Sequence, residues 1–354
     1  MAERRLGEVF ERRAGTVDPD VPAALREVHS RARRRTTRRR TVAALACVGV
    51  VLVAGVTATL MAPGSLRGAD PVVPPPPHED SAPVTVVRRV SAADLGLRKL
   101  LSAAVGADGR VYVTDSSQQV AELTPDLEVV RTWGSSGAGD GQFRLVQGAI
   151  AVGPDGKVYV SDTGNFRVQV FTADGRYVRS LGEFGNGPGQ LTWPFDLAVD
   201  ADGFVYVADD KEETLAKLTP SGKQVWRIGG IGETDPRLQG HQHLAMIDAV
   251  GRAVVTNDDA GVVVLIAPDG SVAEAPFGES FSSGDLCDTT EHAGLFYLTT
   301  CTTSSPLDVY DADGALVGTV ADAGLAQSPR WGRDGTGYAV TADGGLVELE
   351  ARTD

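Results

Sequence analysis

Short apolar runs rich in β-branched and aromatic residues alternate with glycine-containing turns throughout residues 84–354. One representative stretch contains four such runs, at 149–152, 158–161, 168–171 and 177–181. Asp-Gly turns separate several of the runs, and an Asp-Gly turn between β-branched runs is typical of a β-hairpin. The pattern therefore predicts four antiparallel strands in this stretch and no substantial helix in the same part of the chain.

The four-strand unit occurs six times. Six positions align in the second run of successive copies: Tyr112, Tyr159, Tyr206, Val254, Tyr297 and Tyr338. Their spacing is 47, 47, 48, 43 and 41 residues. A repeat of about 40–50 residues with four strands per copy is typical of a β-propeller, in which the blades surround a central channel. We therefore predict an all-β fold, a six-bladed β-propeller over residues 84–354.

The sixth copy, from Gln327 to Glu350, lacks a fourth strand. The run at 84–90, before the first copy, has the composition of a strand and no place in any other copy. We expect residues 84–90 to complete the sixth blade, since this would join the first and last blades and leave no edge open. The alternative is that they continue the preceding linker.

An uncharged segment of 21 residues, 42–62, precedes the repeats and follows an arginine-rich stretch at 31–40. About 20 apolar residues are enough for a helix to cross a bilayer, and basic flanks favour the cytoplasmic side. We predict a single transmembrane helix at 42–62, with a cytoplasmic N-terminus and an extracytoplasmic propeller. A cleaved signal peptide is the alternative, but the basic leader and the apolar core are both longer than such peptides have.

Two short regions flank this predicted span. Residues 63–83 include four consecutive prolines, which favour an extended, semi-rigid linker. Residues 1–41 are an Arg-rich tail too short to form its own core. We interpret the tail as a topogenic segment on anionic lipid. The alternative is a docking segment, residues 1–40, for a cytosolic partner.

Charge is divided unevenly along the chain, whose formal net charge is −14. Residues 1–41 contain twelve arginines and six acidic residues, whereas the remainder contains 21 basic and 41 acidic residues. Because an acidic surface repels phosphate groups, we expect no nucleic-acid partner.

The second copy of the repeat carries a longer motif. It contains Gly139-Asp140-Gly141-Gln142-Phe143, then Asp155-Gly156-Lys157-Val158-Tyr159-Val160-Ser161-Asp162, then Asn165-Phe166-Arg167-Val168-Gln169-Val170-Phe171. This copy resembles an NHL repeat over nearly its full length, and the resemblance extends more weakly over about residues 90–354. It implies a six-bladed, TolB-like propeller. Such propellers bind proteins, RNA or small ligands, and related six-bladed enzymes include lyases and lactonases. The exported body is also similar to the extracytoplasmic propellers of some actinobacterial receptor kinases.

Copies three and four supply most of the charged residues expected on one rim of the propeller. We interpret eight of them as a candidate ligand-binding rim: Asp209, Asp210, Glu212, Glu213, His241, His243, Asp258 and Asp259. The alternative is a solvated acidic rim with no ligand.

A metal site is the second candidate. His241 and His243 alternate, so both imidazoles would point the same way from a strand, as zinc ligands can. Asp196 and Asp209 are the nearest third ligands by alignment. However, the positions expected to line the channel are mostly small or apolar: Ser102, Ala149, Asp196, Leu244, Cys287 and Ser328. We therefore expect no metal, no cofactor and no catalytic residue. The alternative is a divalent cation held by His241, His243 and Asp196.

Cys287 and Cys301 are the two cysteines outside the apolar segment, where Cys47 lies. They stand seven residues on either side of Gly294, at the turn of a predicted hairpin. An extracytoplasmic location is oxidising and favours pairing. We predict a disulfide between them, with two buried free thiols as the alternative.

These patterns leave two functional hypotheses. The first is a membrane-tethered, non-catalytic propeller, a sensor or scaffold that binds a protein, peptide or cell-wall ligand on its rim. The second is an extracytoplasmic, metal-dependent lyase or lactonase-like hydrolase with its site in the channel. Small or apolar channel positions favour the first.

Overall fold

The computed structural model describes most of the repeat-containing body. The described residues are 83–352 except 147, 231, 234, 249, 258, 274–285, 301–305 and 322. Within them, no helix is long and apolar enough to cross a membrane. The tail at 1–41, the apolar segment at 42–62 and nearly all of the linker at 63–83 lie outside the described residues, so their assignments stay predictions.

Six antiparallel sheets of four strands each form the body. The first half of the chain contains β1 (Val84–Val90), β2 (Leu100–Val105), β3 (Val111–Asp115), β4 (Gln119–Leu123), β5 (Val129–Trp133), β6 (Ser135–Ser136), β7 (Gln142–Phe143), β8 (Ile150–Val152), β9 (Val158–Asp162), β10 (Arg167–Phe171), β11 (Tyr177–Leu181), β12 (Pro194–Val199), β13 (Val205–Asp209), β14 (Thr214–Leu218) and β15 (Gln224–Gly229). The short strands β6 and β7 form a separate parallel pair.

The second half continues with the same architecture. It contains β16 (Gln242–Ile247), β17 (Ala253–Asn257), β18 (Val262–Ile266), β19 (Val272–Ala273), β20 (Leu286–His292), β21 (Leu295–Thr300), β22 (Leu307–Tyr310), β23 (Leu316–Val320), β24 (Arg330–Trp331), β25 (Thr336–Val340) and β26 (Leu346–Ala351). Two 3-10 turns, Thr163–Asn165 and Pro236–Leu238, lie in the connecting loops. The predicted all-β, six-bladed propeller is confirmed.

Each sheet is one blade, and its first strand lies innermost, against the channel. Blades one to five are β2–β5, β8–β11, β12–β15, β16–β19 and β20–β23. Blade six has the strand order β24, β25, β26, β1 from the channel outwards. The N-terminal strand β1 therefore pairs with the C-terminal strand β26, from Val84 opposite Ala351 to Val90 opposite Leu346. This pairing closes the ring.

The hydrophobic core is divided among the spaces between blades. Six clusters of buried residues are present in the described part of the chain, one between each pair of neighbouring blades. Because each middle strand is packed on both faces, its residues are buried without alternation, as in the fully buried strands β9 and β13. This explains why the apolar runs in the sequence are continuous.

Antiparallel strands place the connections at two opposite ends of the propeller. The turn between the first and second strands lies at one end, which we call the turn face. In blade two this turn is closed by a hydrogen bond from Gly156 N to Gly153 O of 3.0 Å, and Gly156 has a φ of 74°, which favours glycine. The loops after the second strand and the loops leading into each blade lie at the other end, the rim face.

Candidate functional site

Four ionisable side chains from four successive blades meet in the rim half of the channel. Asp196 on β12 lies beside His243 on β16, with 3.2 Å between Oδ2 and Nδ1. Asp288 on β20 lies beside Arg330 on β24, with 3.1 Å between Oδ2 and Nη2. Each pair joins two neighbouring blades, and the charges of Asp196 and His243 both act on Asp288. We call these four residues the channel cluster.

Irregular pairing in the inner strands directs these side chains toward one another. The register of β12 shifts between Pro194 and Leu197, where Asp196 lies, and that of β20 shifts just before Asp288. A bulge inserts an unpaired residue and re-aims the neighbouring side chains. The channel cluster therefore depends on departures from regular strand geometry.

Asp288 is the most enclosed member of the channel cluster. Its Oδ2 accepts a hydrogen bond of 2.9 Å from Ser328 N in addition to the Arg330 contact, and its Oδ1 accepts one of 2.9 Å from Thr289 N. Burial raises the pKa of Asp288, while the Arg330 guanidinium opposes this rise. The carboxylate is therefore costly to bury, and Arg330 is the charge that compensates it.

The predicted channel positions of blades four and five are wrong by one residue. Leu244 is 2% exposed and belongs to the core between blades three and four, whereas the neighbouring His243 contacts Asp196 across the channel. In blade five only two residues separate the paired ends His292 and Leu295, compared with five between Val152 and Val158 in blade two. This shorter turn shifts the register, so Asp288 occupies the position that the alignment gave to Cys287.

The two histidines proposed as metal ligands contact different carboxylates. His243 is beside Asp196, but His241 Nδ1 lies 3.7 Å from Glu213 Oε1. In the described part of the chain, no group of three or more His, Cys, Asp or Glu is arranged to hold a metal ion. The structure thus brings together two members of the predicted set, Asp196 and His243, and gives His241 another partner.

Glu213 occupies a position that joins neighbouring blades. The equivalent residue in three blades has a positive φ: 65° at Gln118, 59° at Phe166 and 55° at Glu213. Gln118 accepts a hydrogen bond of 3.0 Å from Val146 N, and the ring of Phe166 lies 4.7 Å from that of Phe184. The contact between Glu213 and His241 is therefore the third version of a repeated loop-to-loop contact.

Asp209 has a structural role rather than an exposed position on the rim. It is 2% exposed, and its carboxylate accepts hydrogen bonds from Thr192 N at 2.6 Å and Trp193 N at 2.9 Å. Asp115 and Asp162, at the same position in blades one and two, hold the equivalent loops through Arg98 N and Arg144 N. These aspartates fix the loop that leads into each blade.

The other predicted rim residues are more accessible. Asp210 and Glu212 are half-buried, and Asp259 is exposed and accepts a hydrogen bond of 3.3 Å from His241 N. Asp258 lies outside the described residues. So do Cys301 and the side chain of Cys287, and their disulfide therefore stays a prediction.

Sequence reasoning missed Asp288 and Arg330. Asp288 follows Cys287 directly and Arg330 precedes Trp331, at the start of two inner strands. A charged residue near the start of an inner strand was the available signal, but an alignment anchored on the turn glycines placed both residues out of register.

Comparison with known proteins agrees with the architecture. A family model for the NHL repeat matches residues 148–171, which include β8, β9 and β10. No curated protein matches the chain in sequence.

Solved structures with a similar fold are distant in sequence. Virginiamycin B lyase from Staphylococcus aureus is 12% identical, with a TM-score of 0.54 over 75% of this chain and 99% of that one. A structural genomics protein of unknown function from Bacteroides thetaiotaomicron is 16% identical, with a TM-score of 0.54 over 75% of each chain. A streptogramin B lyase is 13% identical, with a TM-score of 0.53 over 73% of this chain and 80% of that one. At these identities the likeness concerns the fold alone.

Proposed function

We propose that this six-bladed NHL-repeat β-propeller is a membrane-tethered, extracytoplasmic binding protein. It recognises a protein, peptide or cell-wall ligand at the rim mouth of its channel. The observation that carries the proposal is the channel cluster, in which Asp196, His243, Asp288 and Arg330 converge from four blades. A few convergent polar groups in a concave site are what ligand recognition requires.

The pairing within the channel cluster favours binding over metal chemistry. Asp288 is compensated by Arg330, and Asp196 is hydrogen-bonded to His243. A carboxylate engaged by a guanidinium is a poor metal ligand, because the cation competes with the metal for the same oxygens. The arrangement is suited to hydrogen bonding with a polar ligand.

The position of the chain ends is compatible with tethering. Pro83 O accepts a hydrogen bond of 2.8 Å from Arg352 N at the turn-face end of β1. The proposed linker, residues 63–83, therefore joins the propeller at the face opposite the rim. A tether attached there leaves the loops of the rim face accessible to a partner.

Site-specific photo-crosslinking in cells tests the binding proposal. A photoreactive residue at Glu212, on the rim of blade three, is expected to capture a partner. The same residue at Asp155, in the turn of blade two, is the matched control and is expected to capture none. Equal capture at both positions, or capture at Asp155 alone, would contradict binding at the rim.

The membrane assignment has its own test. The full-length protein is expected in the membrane fraction, with its propeller digested by protease added outside the cell. A soluble, shortened product would show cleavage after the apolar segment and would contradict the anchor.

The contact between His243 and Asp196 favours one alternative, a metal-dependent lyase or lactonase-like hydrolase. A histidine oriented by a carboxylate can take part in acid–base chemistry. Elemental analysis of the purified protein distinguishes the two functions. Stoichiometric metal that disappears on combining His241→Ala with His243→Ala would favour the enzyme, and metal-free protein that still captures its partner would favour binding.

A further inference from the structure

A cavity of about 260 Å³ occupies the turn half of the channel, separate from the rim-side contacts between Asp196 and His243. The inner strands of all six blades line it. A volume of this size holds several water molecules or one small organic molecule. The residues that line the cavity therefore determine what kind of molecule can bind there.

A ring of six residues surrounds the cavity where the inner strands end. We call this ring the collar and define it by strand pairing. In each blade, one inner-strand residue pairs with the aligned position of the second strand, as Ala151 pairs with Tyr159 in blade two. The collar residue is the next one along the inner strand. Its members are Val105, Val152, Val199, Ile247, Glu291 and Trp331. Four blades thus contribute an aliphatic side chain, and blade five contributes a carboxylate at the equivalent place.

The layer behind the collar is made of small residues on one side. Blades one to three place Ala104, Ala151 and Ala198 there. Blade five places Thr290 at the same level, and its Oγ1 is buried without a hydrogen-bond partner among the described residues. The cavity therefore has an apolar wall facing a polar wall.

The charge of Glu291 is not neutralised by its surroundings. Its Oε1 accepts a hydrogen bond of 2.8 Å from Gly294 N, and none of the described Lys, Arg or His residues forms an ion pair with it. Arg330 also lines the cavity, but its guanidinium is engaged by Asp288 at 3.1 Å. His292 stacks on Trp331 at 4.8 Å, and burial lowers the pKa of His292, so it is neutral at pH 7.

We propose that this cavity binds a small amphiphilic organic cation, such as a primary alkylammonium. The ammonium group donates to the Glu291 carboxylate, and the apolar body packs against the alanine layer and the aliphatic collar. A single carboxylate beside an apolar wall selects for a cation with a hydrocarbon body. An anion would be repelled, and a neutral molecule would leave the carboxylate without a counter-charge. The cavity shares Arg330 with the channel cluster, but the proposal rests on Glu291 and the apolar wall and not on the proposed rim function.

Titration calorimetry on the full-length protein in detergent, with n-butylammonium as the probe, tests the proposal. Saturable binding of one butylammonium per chain is expected, with much weaker binding of n-butanol and none of butyrate. Glu291→Gln keeps an oxygen to accept from Gly294 N but removes the charge, and we expect it to weaken butylammonium binding roughly tenfold or more.

Two further variants complete the test. Glu350→Gln makes the same chemical change at an exposed position on β26 and is expected to bind like the unchanged protein. Ala151→Leu fills the apolar wall without altering charge and is expected to abolish binding. Butanol binding as tightly as butylammonium, unchanged affinity in Glu291→Gln, or no binding of butylammonium by the unchanged protein would each overturn the proposal.

Discussion

At the scale of single residues, equivalent positions in different blades serve different purposes. The last residue of the second strand fixes a neighbouring loop in blades one to four, as Asp115, Asp162, Asp209 and Asn257. The three aspartates among them belong to the fold, although in the sequence they are indistinguishable from exposed rim acids. The loop-fixing aspartates differ from the exposed rim acids in being buried and in accepting hydrogen bonds from more donors.

The loop-fixing role of Asp209 can be tested by substitution. We expect Asp209→Ala to lower the free energy of unfolding by about 2–3 kcal/mol, because it leaves the donors of Thr192 and Trp193 without their charged acceptor. Asp259→Ala, at an exposed position, is the matched control and should change stability by less than about 0.5 kcal/mol. Urea unfolding of both variants measures the difference. Equal effects would show that Asp209 does not hold the loop.

The ion pair in the channel predicts non-additive effects. Arg330→Met leaves Asp288 as a buried carboxylate without a counter-charge, and we expect a loss of about 3 kcal/mol. Asp288→Asn should also destabilise, since it leaves the guanidinium unpaired. The double variant should cost clearly less than the sum of the two, because neither lone charge remains. Additive losses in urea unfolding would contradict the coupling between these residues.

At the scale of strands, the sequence predicted much of the observed arrangement. The runs at 158–161, 168–171 and 177–181 correspond to β9, β10 and β11, because each is continuous and bounded by glycine turns. Register within the inner strands was not predictable in the same way. Bulges in β12, β16 and β20 and the short turn of blade five shift the pairing by a residue, and the pattern of apolar and polar positions does not mark where such a shift occurs.

Strand β1 is the outermost strand of blade six, and its removal tests how much the ring depends on it. Val84 is 2% exposed and packs in the cluster shared by blades five and six, and Arg88 pairs with Glu348 at 2.7 Å. A chain beginning at residue 91 should therefore unfold at a clearly lower temperature than one beginning at residue 83, since β26 becomes an open edge.

A point variant refines this comparison. Val84→Ser removes buried apolar area but keeps the strand, so we expect an intermediate loss of about 1–3 kcal/mol. Val87→Ser, at a position 53% exposed on the same strand, is the control and should have little effect. If the shortened chain and the intact one melt at the same temperature, β1 does not hold the ring closed.

At the scale of the whole molecule, ring closure makes the core a set of six interfaces. Among the described residues, the cluster between blades four and five has the fewest buried members: Val254, Val263, Leu265, Phe296 and Leu298. The sequence predicted the number of blades because the aligned tyrosines repeat. It could not predict the channel cluster, since that site exists only when four blades, separated by up to 134 residues between Asp196 and Arg330, meet in the channel.

The same repeated tyrosines predict how the ring responds to alkaline pH. Burial raises the pKa of Tyr112, Tyr297 and Tyr338 from 10.0 to about 12. Because the folded state favours the neutral phenol, the stability from these groups is complete below about pH 10 and is lost as pH rises toward 12. Each such tyrosine can contribute about 2 kcal/mol to this loss.

We therefore expect the propeller to unfold cooperatively between about pH 10 and 12, with loss of its β-sheet circular dichroism and the appearance of tyrosinate absorbance in one transition. Tyr112→Phe cannot ionise at this position and should shift the midpoint to higher pH. Its ring keeps the edge contact with Trp133, at 6.3 Å, so stability at neutral pH should change little. If the tyrosines ionise near pH 10 while the sheet signal persists, burial at the blade interfaces does not protect them.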